Sequence, residues 1–233
     1  MLLLNIRGFL SHKAELDGTL ALLHQPLLVG LTETWLDASV GEPSLSGYSR
    51  VSRLDRRDGR IGGGLLMFAR QDVACWISHV ADSSTHERSW HILYTDVGPL
   101  LIALWYRPPD SGMESIRDLE AEAVAHQLDT IGTMVLGDMN IHHASWRRHS
   151  SSTSAAGREL FEVCGRMGLA QHVRRPTRGD YLLDLVLSDL STCVSSEVLA
   201  GISDHNMVCS SQWMPLNLRL ESTGFSHEPS AKG

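Results

Sequence analysis

Asp138 and Asn140, two polar residues separated by one other residue, stand where a short apolar run of the sequence ends. The run, residues 131–136, predicts a buried strand that Gly137 terminates. Side chains at positions i and i+2 of an extended backbone point the same way, so this acid and this amide would face one site. Such a pair suits attack of water on a phosphate. The carboxylate can take a proton from the water, and the amide can donate a hydrogen bond to the charge that develops on the phosphate. Gly, Asp and Asn also form turns readily, so a plain turn is the alternative.

Polar residues mark the ends of further predicted strands in the same way: Asn5, Glu33, Tyr106, Asp184, and Asp204 with His205. Because each stands at or near the end of a buried strand, we predict that they converge in space. Asn5, Glu33 and Asp204 offer the hard oxygen ligands that Mg²⁺ prefers. His205 could bond a phosphate oxygen, and the carboxylate of Asp184 would orient and charge its ring.

Strands and helices alternate along the chain, which predicts an α/β protein. We interpret residues 49–64 as a loop that ends in three glycines, and residues 215–233 as a flexible tail or linker after a single domain over 1–214. Helices are predicted over 12–23, 115–129 and 155–167. Strands are predicted over 2–6, 27–31, 65–69, 72–80, 90–96, 100–106, 131–136, 181–188 and 207–213.

Composition narrows the class of protein. The chain has 233 residues, of which 42% are hydrophobic and 20% charged, as in ordinary globular proteins. A net charge of −7 argues against binding nucleic acid through overall basicity, and fits an acidic site that recruits a cation before a phosphate. The four cysteines lie far apart without a Cys-x-x-Cys pair, which disfavours a zinc site or a disulfide framework. The sequence shows no signal peptide and no membrane-spanning run, so we expect an intracellular protein.

Taken in order, these motifs resemble the endonuclease/exonuclease/phosphatase family, which has the deoxyribonuclease I-like fold, over about residues 2–214. The matching segments are Asn-Ile-Arg-Gly at 5–8, Thr-Glu-Thr-Trp-Leu at 32–36, three glycines at 62–64, Trp-Tyr-Arg-Pro-Pro at 105–109, Gly-Asp-Met-Asn at 137–140, Leu-Asp-Leu-Val-Leu at 183–187 and Ser-Asp-His at 203–205. Within the family the chain looks most like the endonuclease domains of non-LTR retrotransposons, which share Glu-Thr-Trp-Leu, Tyr-Arg-Pro-Pro and the His142-His143 to Trp146 continuation.

The resemblance implies a four-layer α/β/β/α sandwich of two mixed sheets and a Mg²⁺-dependent endonuclease, with Mn²⁺ as the alternative ion. Glu33 would bind the metal with help from Asn5 and Asp204. Asp138 would activate the attacking water, and Asn140 would hold Asp138 and the phosphate. The other catalytic residues would stabilise the negative charge on the phosphate. They are His205, which Asp184 would support, and Tyr106 through its hydroxyl.

Two departures separate the chain from other branches of the family. Abasic-site endonucleases usually carry an Asp where this chain has Arg7, which makes a repair role less fitting. Deoxyribonuclease I and the sphingomyelinases carry a His where this chain has Tyr106. We therefore expect a retrotransposon-type enzyme that acts on DNA as a monomer, in the nucleus if functional. The reverse transcriptase domain that would be its partner in a parent element is absent from these residues.

Nucleic-acid contacts are predicted for four residues: Arg107, Arg147, Thr177 and Arg178. Two other functions stay open. The first is a hydrolase of the same fold that acts on another phosphate ester, such as an inositol polyphosphate or a sphingolipid. The second is a catalytically decayed remnant that binds nucleic acid or a protein partner.

Overall fold

Two six-stranded sheets lie face to face in the computed structural model of this chain, which describes residues 1–146, 152–190 and 194–212. The first sheet has the strand order β11-β12-β1-β2-β4-β3. Its strands are β1 (Leu2–Asn5), β2 (Leu28–Thr32), β3 (Tyr48–Leu54), β4 (Leu65–Arg70), β11 (Val194–Leu199) and β12 (Met207–Gln212). β1 and β2 run parallel and their other neighbours antiparallel, so the sheet is mixed.

The second sheet has the order β5-β6-β7-β8-β10-β9. Its strands are β5 (Ile77–Asp82), β6 (Glu87–Thr95), β7 (Gly98–Tyr106), β8 (Gly132–Asp138), β9 (Ala170–Gln171) and β10 (Asp184–Ser188). β7 and β8 are its parallel pair, because helix α2 (Glu114–His126) connects them on the outer face. Gly137 lets these two strands approach closely, since a Cβ there would lie 1.6 Å from the carbonyl oxygen of Trp105.

Helices cover the outer faces and complete four layers. The helices are α1 (Phe9–Leu22), α2 (Glu114–His126) and α3 (Ala155–Met167). Helix α1 packs Leu16 and Leu20 with the outward side chains of the first sheet, whereas α2 and α3 join the core that contains the second sheet. The start of α3 is capped by the hydroxyl of Ser154, which accepts a hydrogen bond from Gly157 N at 2.9 Å, and Gly168 ends it in the left-handed conformation. The α/β/β/α architecture predicted from the sequence is confirmed.

The predicted loop over 49–64 is wrong in its first half, because residues 48–54 form strand β3 at the edge of the first sheet. Its arginines face outward and its ladder is interrupted between Arg50 and Ser52, so no regular apolar alternation marks it. The short polar strand β11 was likewise not predicted. In the predicted strand 72–80, a 3₁₀ turn at Ala74–Trp76 precedes β5. The predicted tail, residues 215–233, lies outside the described residues.

Among the described residues, no helix is both long enough and apolar enough to cross a membrane.

Candidate active site

Strand direction gathers the predicted polar residues at one end of the sandwich. In the first sheet, the parallel strands β1 and β2 end together, so Asn5 and Glu33 emerge at the same edge. Strand β12 runs antiparallel to β1, which places His205, two residues before β12 begins, at that edge too. In the second sheet Tyr106 pairs with Asp138 at the ends of β7 and β8.

Asp184 arrives from the opposite direction. Strand β10 is antiparallel to β8 and begins with Asp184, which pairs directly with Asp138 across the ladder. Residues that lie far apart along the chain therefore share one cavity of about 90 Å³. The cavity is lined by Asn5, Arg7, Glu33, Tyr106, Pro109, Asp138, Asn140, Arg178 and His205.

Asp138 is the most enclosed carboxylate that lines this cavity, with 1% of the residue exposed. Its Oδ2 accepts a hydrogen bond from Asn5 Nδ2 at 2.8 Å, and its Oδ1 accepts one from the backbone N of Asn140 at 3.1 Å. Burial, together with the negative charge of Asp184, raises the pKa of Asp138 to about 7. A carboxyl group that titrates near neutral pH can take up and release a proton during a reaction.

His205 lies between two carboxylates. Its Nδ1 is 2.8 Å from Oδ2 of Asp184, and its Nε2 is 3.9 Å from Oδ2 of Asp138. Burial acts to lower the pKa of His205, but the hydrogen bond to Asp184 and the charges of both carboxylates outweigh it and raise that pKa. The charged form of the ring is therefore favoured, and its Nε2 lies on the side of Asp138 and the cavity.

The orientation of the Asn5 amide is fixed by its neighbour. Because Nδ2 donates to the Asp138 carboxylate, the amide oxygen must face the other way. That oxygen, Oδ1, is buried and has no hydrogen-bond partner among the described residues. Buried acceptors are normally satisfied, so an unpaired amide oxygen beside a carboxylate in a cavity fits a bound cation.

Glu33 is held at the rim by two donors to the same oxygen. Its Oε2 accepts from the backbone N of Gly63 at 2.9 Å and from the indole N–H of Trp35. Gly63 has φ +71°, and a Cβ there would lie 2.4 Å from Oε2 of Glu87, so the glycine is required for this close approach. Asn5 and Glu33 thus form an oxygen donor set that suits a hard divalent ion.

A second group, Asp138, Asp184 and His205, also has the composition of an ion site, because its ligand atoms lie within 4.8 Å of one another. Its members, however, already have partners: His205 bonds Asp184, and Asp138 accepts from Asn5 and from the backbone N of Asn140. One of the three also offers a nitrogen rather than an oxygen. The open oxygen set of Asn5 and Glu33 suits a hydrated Mg²⁺ better, since that ion retains several waters.

Tyr106 closes the cavity on the side of the second sheet. Burial, and then a hydrogen bond to Glu33 with the charges of Glu33 and Asp138, raise the pKa of Tyr106, so its hydroxyl keeps its proton. The guanidinium of Arg56 lies over the ring at 5.7 Å from its centroid, which fixes the ring plane.

Backbone strain concentrates here. Seven non-glycine residues among those described have positive φ, and four of them lie at this site: Arg7 at 47°, Glu33 at 56°, Trp35 at 56° and Asn140 at 48°. Such conformations cost free energy and persist where surrounding contacts enforce them, as at functional sites.

Asp204 has a different place from the one predicted. It does not line the cavity; its Oδ2 instead lies 2.7 Å from Arg7 Nη1 and 2.8 Å from Arg178 Nη2. Its carboxylate is committed to two guanidinium groups, which is at odds with the predicted role as a metal ligand.

Two predicted nucleic-acid contacts are also placed differently. The side chain of Arg107 is buried and bonds Ser115 Oγ at 3.1 Å and the carbonyl of Ser111 at 2.5 Å. Its carbonyl accepts from Asn140 Nδ2 at 3.0 Å, so Arg107 supports the site from behind.

Thr177 is fully buried, and its hydroxyl accepts hydrogen bonds from the backbone N–H groups of Leu183 and Asp184 at 3.1 and 3.0 Å. These positions are at odds with direct phosphate contact by either side chain. Arg178 does line the cavity, whereas Arg147 lies outside the described residues.

Sequence reasoning missed two supporting groups. Arg7 lines the cavity, although we noted it only as a departure from a related branch. Glu87 accepts from Arg56 Nε at 2.8 Å and from Gly64 N at 2.5 Å, and so holds the glycine loop whose Gly63 N donates to Glu33. No local pattern marks Glu87, because its partners are more than twenty positions away.

Comparison with known proteins agrees with this geometry. Residues 100–209 match the family model described as endonuclease-reverse transcriptase. Similar solved structures include the endonuclease domain of TRAS1, a telomere-specific non-LTR retrotransposon, at 16% identity and a TM-score of 0.70, covering 92% of this chain and 98% of that one. A search of curated proteins finds no significant match.

Two further structures share the fold. The 3′ phosphatase NExo from Neisseria, bound to product DNA hairpin, has 14% identity and a TM-score of 0.67, covering 91% of this chain and 98% of its own. The catalytic domain of Xenopus laevis APE2 has 14% identity and a TM-score of 0.69, covering 91% and 90%. The chain thus has the deoxyribonuclease I-like fold, as its sequence motifs predicted.

Proposed function

We propose that this deoxyribonuclease I-like chain is a Mg²⁺-dependent phosphodiesterase that nicks one strand of DNA, as an endonuclease of the non-LTR retrotransposon type. The observation that carries the proposal is the convergence of Asn5, Glu33, Asp138 and His205 on one cavity from four separate strand ends. A carboxyl group with a pKa near neutral, an imidazole whose charged form is favoured, and oxygen donors for a divalent ion together suit phosphodiester hydrolysis.

Asp138 is placed to take the proton of an attacking water, because its pKa near 7 matches neutral conditions. As the water oxygen bonds to phosphorus, the opposite P–O bond breaks and the strand is cut. His205 donates from Nε2 to the charge that builds on the phosphate oxygens, and Asp184 keeps the ring charged and oriented.

Asn140 and Tyr106 hold the phosphate. Asn140 gives one N–H to the carbonyl of Arg107, which leaves a second for a phosphate oxygen. The hydroxyl of Tyr106 retains its proton and can donate to the same group.

Asn5 and Glu33 would hold the divalent ion. When bound, such an ion supplies neutralisation of charge on the phosphate oxygens. The support for this assignment is the unpaired Oδ1 of Asn5 and the rim position of Glu33. Mg²⁺ is the ion that this oxygen set suits best, and Mn²⁺ is the alternative.

A plasmid-nicking assay tests the proposal. We expect the chain to convert supercoiled plasmid to the nicked form with Mg²⁺ and to stop when EDTA is added. Asp138→Asn should lower the rate about 10²–10⁴-fold. The control is Asp189→Asn, since Asp189 is also a carboxylate beside β8, where its Oδ1 accepts a hydrogen bond from Thr133 N at the other end of that strand. This control should nick at the wild-type rate.

Other outcomes distinguish the alternatives. Phosphate release from inositol polyphosphates without nicking would replace DNA with another ester as the substrate. Duplex binding without any hydrolysis would indicate a decayed, binding-only protein. Equal losses in Asp138→Asn and Asp189→Asn would contradict the assigned role of Asp138.

Metal binding has its own test. Glu33→Gln should raise the Mg²⁺ concentration that gives half-maximal nicking at least about tenfold, because it removes a charged ligand. Nicking with an unchanged Mg²⁺ requirement would overturn the assignment of Glu33.

A further inference from the structure

Two arginines meet at one oxygen atom on the rim of the active-site cavity. Arg7 follows β1, Arg178 lies in the segment before β10, and both side chains line the cavity beside Glu33 and Asn140. Their Nη1 and Nη2 atoms lie 2.7 and 2.8 Å from the same Oδ2 of Asp204. We call Arg7 and Arg178 the arginine pair.

Within the described residues, most N–H donors of the arginine pair have no acceptor. Asp204 is the one side-chain acceptor that the contacts of these residues give to either guanidinium. Both side chains stay about two-fifths exposed, at 43% for Arg7 and 42% for Arg178. Two guanidinium groups share the single carboxylate of Asp204, so this ion pair leaves one positive charge in excess at the mouth of the cavity.

Arg7 is held in place from a second side. Its guanidinium lies over the ring of Trp35, 5.8 Å from the centroid, and its backbone is in the left-handed conformation at φ 47°. A cation fixed between an aromatic ring and a carboxylate loses little side-chain freedom on binding an anion. This arrangement resembles a prepared anion site more than a surface ion pair.

We propose that the arginine pair binds a phosphate of the DNA backbone at the mouth of the cavity, and that Asp204 is a positioning residue for it. This inference rests on the proposed function and adds a phosphate-binding element to it. Guanidinium groups donate to phosphate oxygens in a planar, charge-assisted geometry, which fits a phosphodiester better than a neutral ligand.

The first test is binding of a short fluorescent duplex in EDTA over a series of NaCl concentrations. Arg7→Ala and Arg178→Ala should each weaken binding about tenfold. Each should also lower the slope of log affinity against log salt by about one, because one phosphate contact is lost. A merely structural role would leave that slope unchanged.

Arg166→Ala is the matched control. This variant removes the same charge and the same kind of ion pair, since Arg166 lies 2.9 Å from Glu120, but it does so in the helical layer away from the cavity. Wild-type affinity and slope in this control, with both reduced in the two cavity variants, would support the proposal. Wild-type affinity and slope in Arg7→Ala would overturn it.

The second test separates positioning from metal binding at Asp204. Asp204→Asn should leave the Mg²⁺ requirement for nicking within about twofold, whereas a metal ligand would raise it about tenfold or more. Arg7→Ala should also cost less affinity in the Asp204→Asn background than in the wild type, because Arg7 is no longer held. A tenfold shift in Mg²⁺ requirement, or full additivity of the two variants, would overturn the positioning role.

Failure of the proposed function gives a different pattern. If the chain binds no DNA but hydrolyses inositol phosphates, and Arg7→Ala raises KM for them, then the arginine pair stands and DNA is the wrong substrate. If KM is unchanged, or if the wild-type chain neither binds DNA nor hydrolyses a phosphate ester, the arginine pair falls as well.

Discussion

Among the residues that the structure describes, two histidines are almost fully buried, and their surroundings give them opposite chemical character. His205 is 2% exposed at the strand ends and lies between two carboxylates, which raise its pKa against the effect of burial. His91 is fully buried between the sheets, where burial lowers its pKa to about 3. Its Nε2 lies 2.7 Å from the hydroxyl of Ser52, which reaches across from β3 to β6.

The two histidines differ in their hydrogen-bond partners rather than in how deeply they are buried. Carboxylates favour the charged form of His205, which suits interaction with a phosphate. Neutral hydroxyls make His91 a polar joint between two sheets, with Ser89 Oγ also within 3.5 Å. A buried histidine is therefore a site candidate only when its neighbours stabilise the charged form.

The largest expected effect is on activity. His205→Gln should lower the nicking rate about 10²–10⁴-fold, since the charge that faces the phosphate is lost. The same substitution at His91 should leave the rate per folded molecule within about twofold. Both rates are measured at saturating plasmid and corrected for the folded fraction. A comparable loss in the two variants would remove the contrast.

The contributions of the two histidines to stability should also depend on pH in opposite directions. Folding lowers the pKa of His91. Its contribution to the free energy of unfolding is therefore complete above the pKa of the unfolded state, near 6.5, and is lost as pH falls toward 3. Because the pKa of His205 is raised, its contribution is complete below that unfolded value and is lost as pH rises through the folded one.

Urea unfolding in EDTA across a pH series measures this contrast. His91→Gln should flatten the acid limb of the stability curve, and His205→Gln the alkaline limb. Changes on the same limb in both variants would show that the two sites do not differ in the sign proposed.

A third comparison concerns stability at pH 8 without metal. Asp138→Asn should raise the free energy of unfolding by about 1–3 kcal/mol, because a buried carboxylate beside Asp184 is costly to keep charged. Ser52→Ala should lower it by about 1–3 kcal/mol, because it leaves the buried His91 Nε2 without its closest partner. Destabilisation by Asp138→Asn would contradict this reading of the active site.

The smallest expected effect is at Thr177. Thr177→Val removes the hydroxyl that two backbone N–H groups require, and should lower the free energy of unfolding by about 1–2 kcal/mol. Duplex affinity should not change, because the side chain is buried. Thr177→Ser retains the hydroxyl and is the control. Weaker DNA binding in Thr177→Val at full stability would restore the phosphate contact predicted from the sequence.

The sequence was informative where a local pattern fixes position. Asn5, Glu33, Tyr106 and Asp138 each follow an apolar run, and a strand end is where such a residue must emerge. The β-sandwich and helix α3 could be predicted for the same reason, since burial leaves a regular pattern of apolar residues.

Local sequence patterns did not predict contacts between side chains that lie far apart along the chain. Asp204 was predicted to be a metal ligand because it is a hard oxygen donor near a strand end, yet the partners of its carboxylate, Arg7 and Arg178, come from distant parts of the chain. Arg107 and Thr177 lie in segments that look like basic surface loops, but their side chains turn inward to hold backbone groups. Strand β3 was missed because an edge strand needs only one apolar face.

The direction of β12 determines on which side of the sandwich this strand ends, relative to the cavity. This strand begins beside Asn5 and runs away from it, so Gln212 lies at the end of the first sheet opposite the cavity. A polypeptide joined directly after Gln212 would start on the side of the sandwich away from the cavity. If the chain acts on DNA as proposed, such a fusion should leave the mouth of the cavity open to a long duplex.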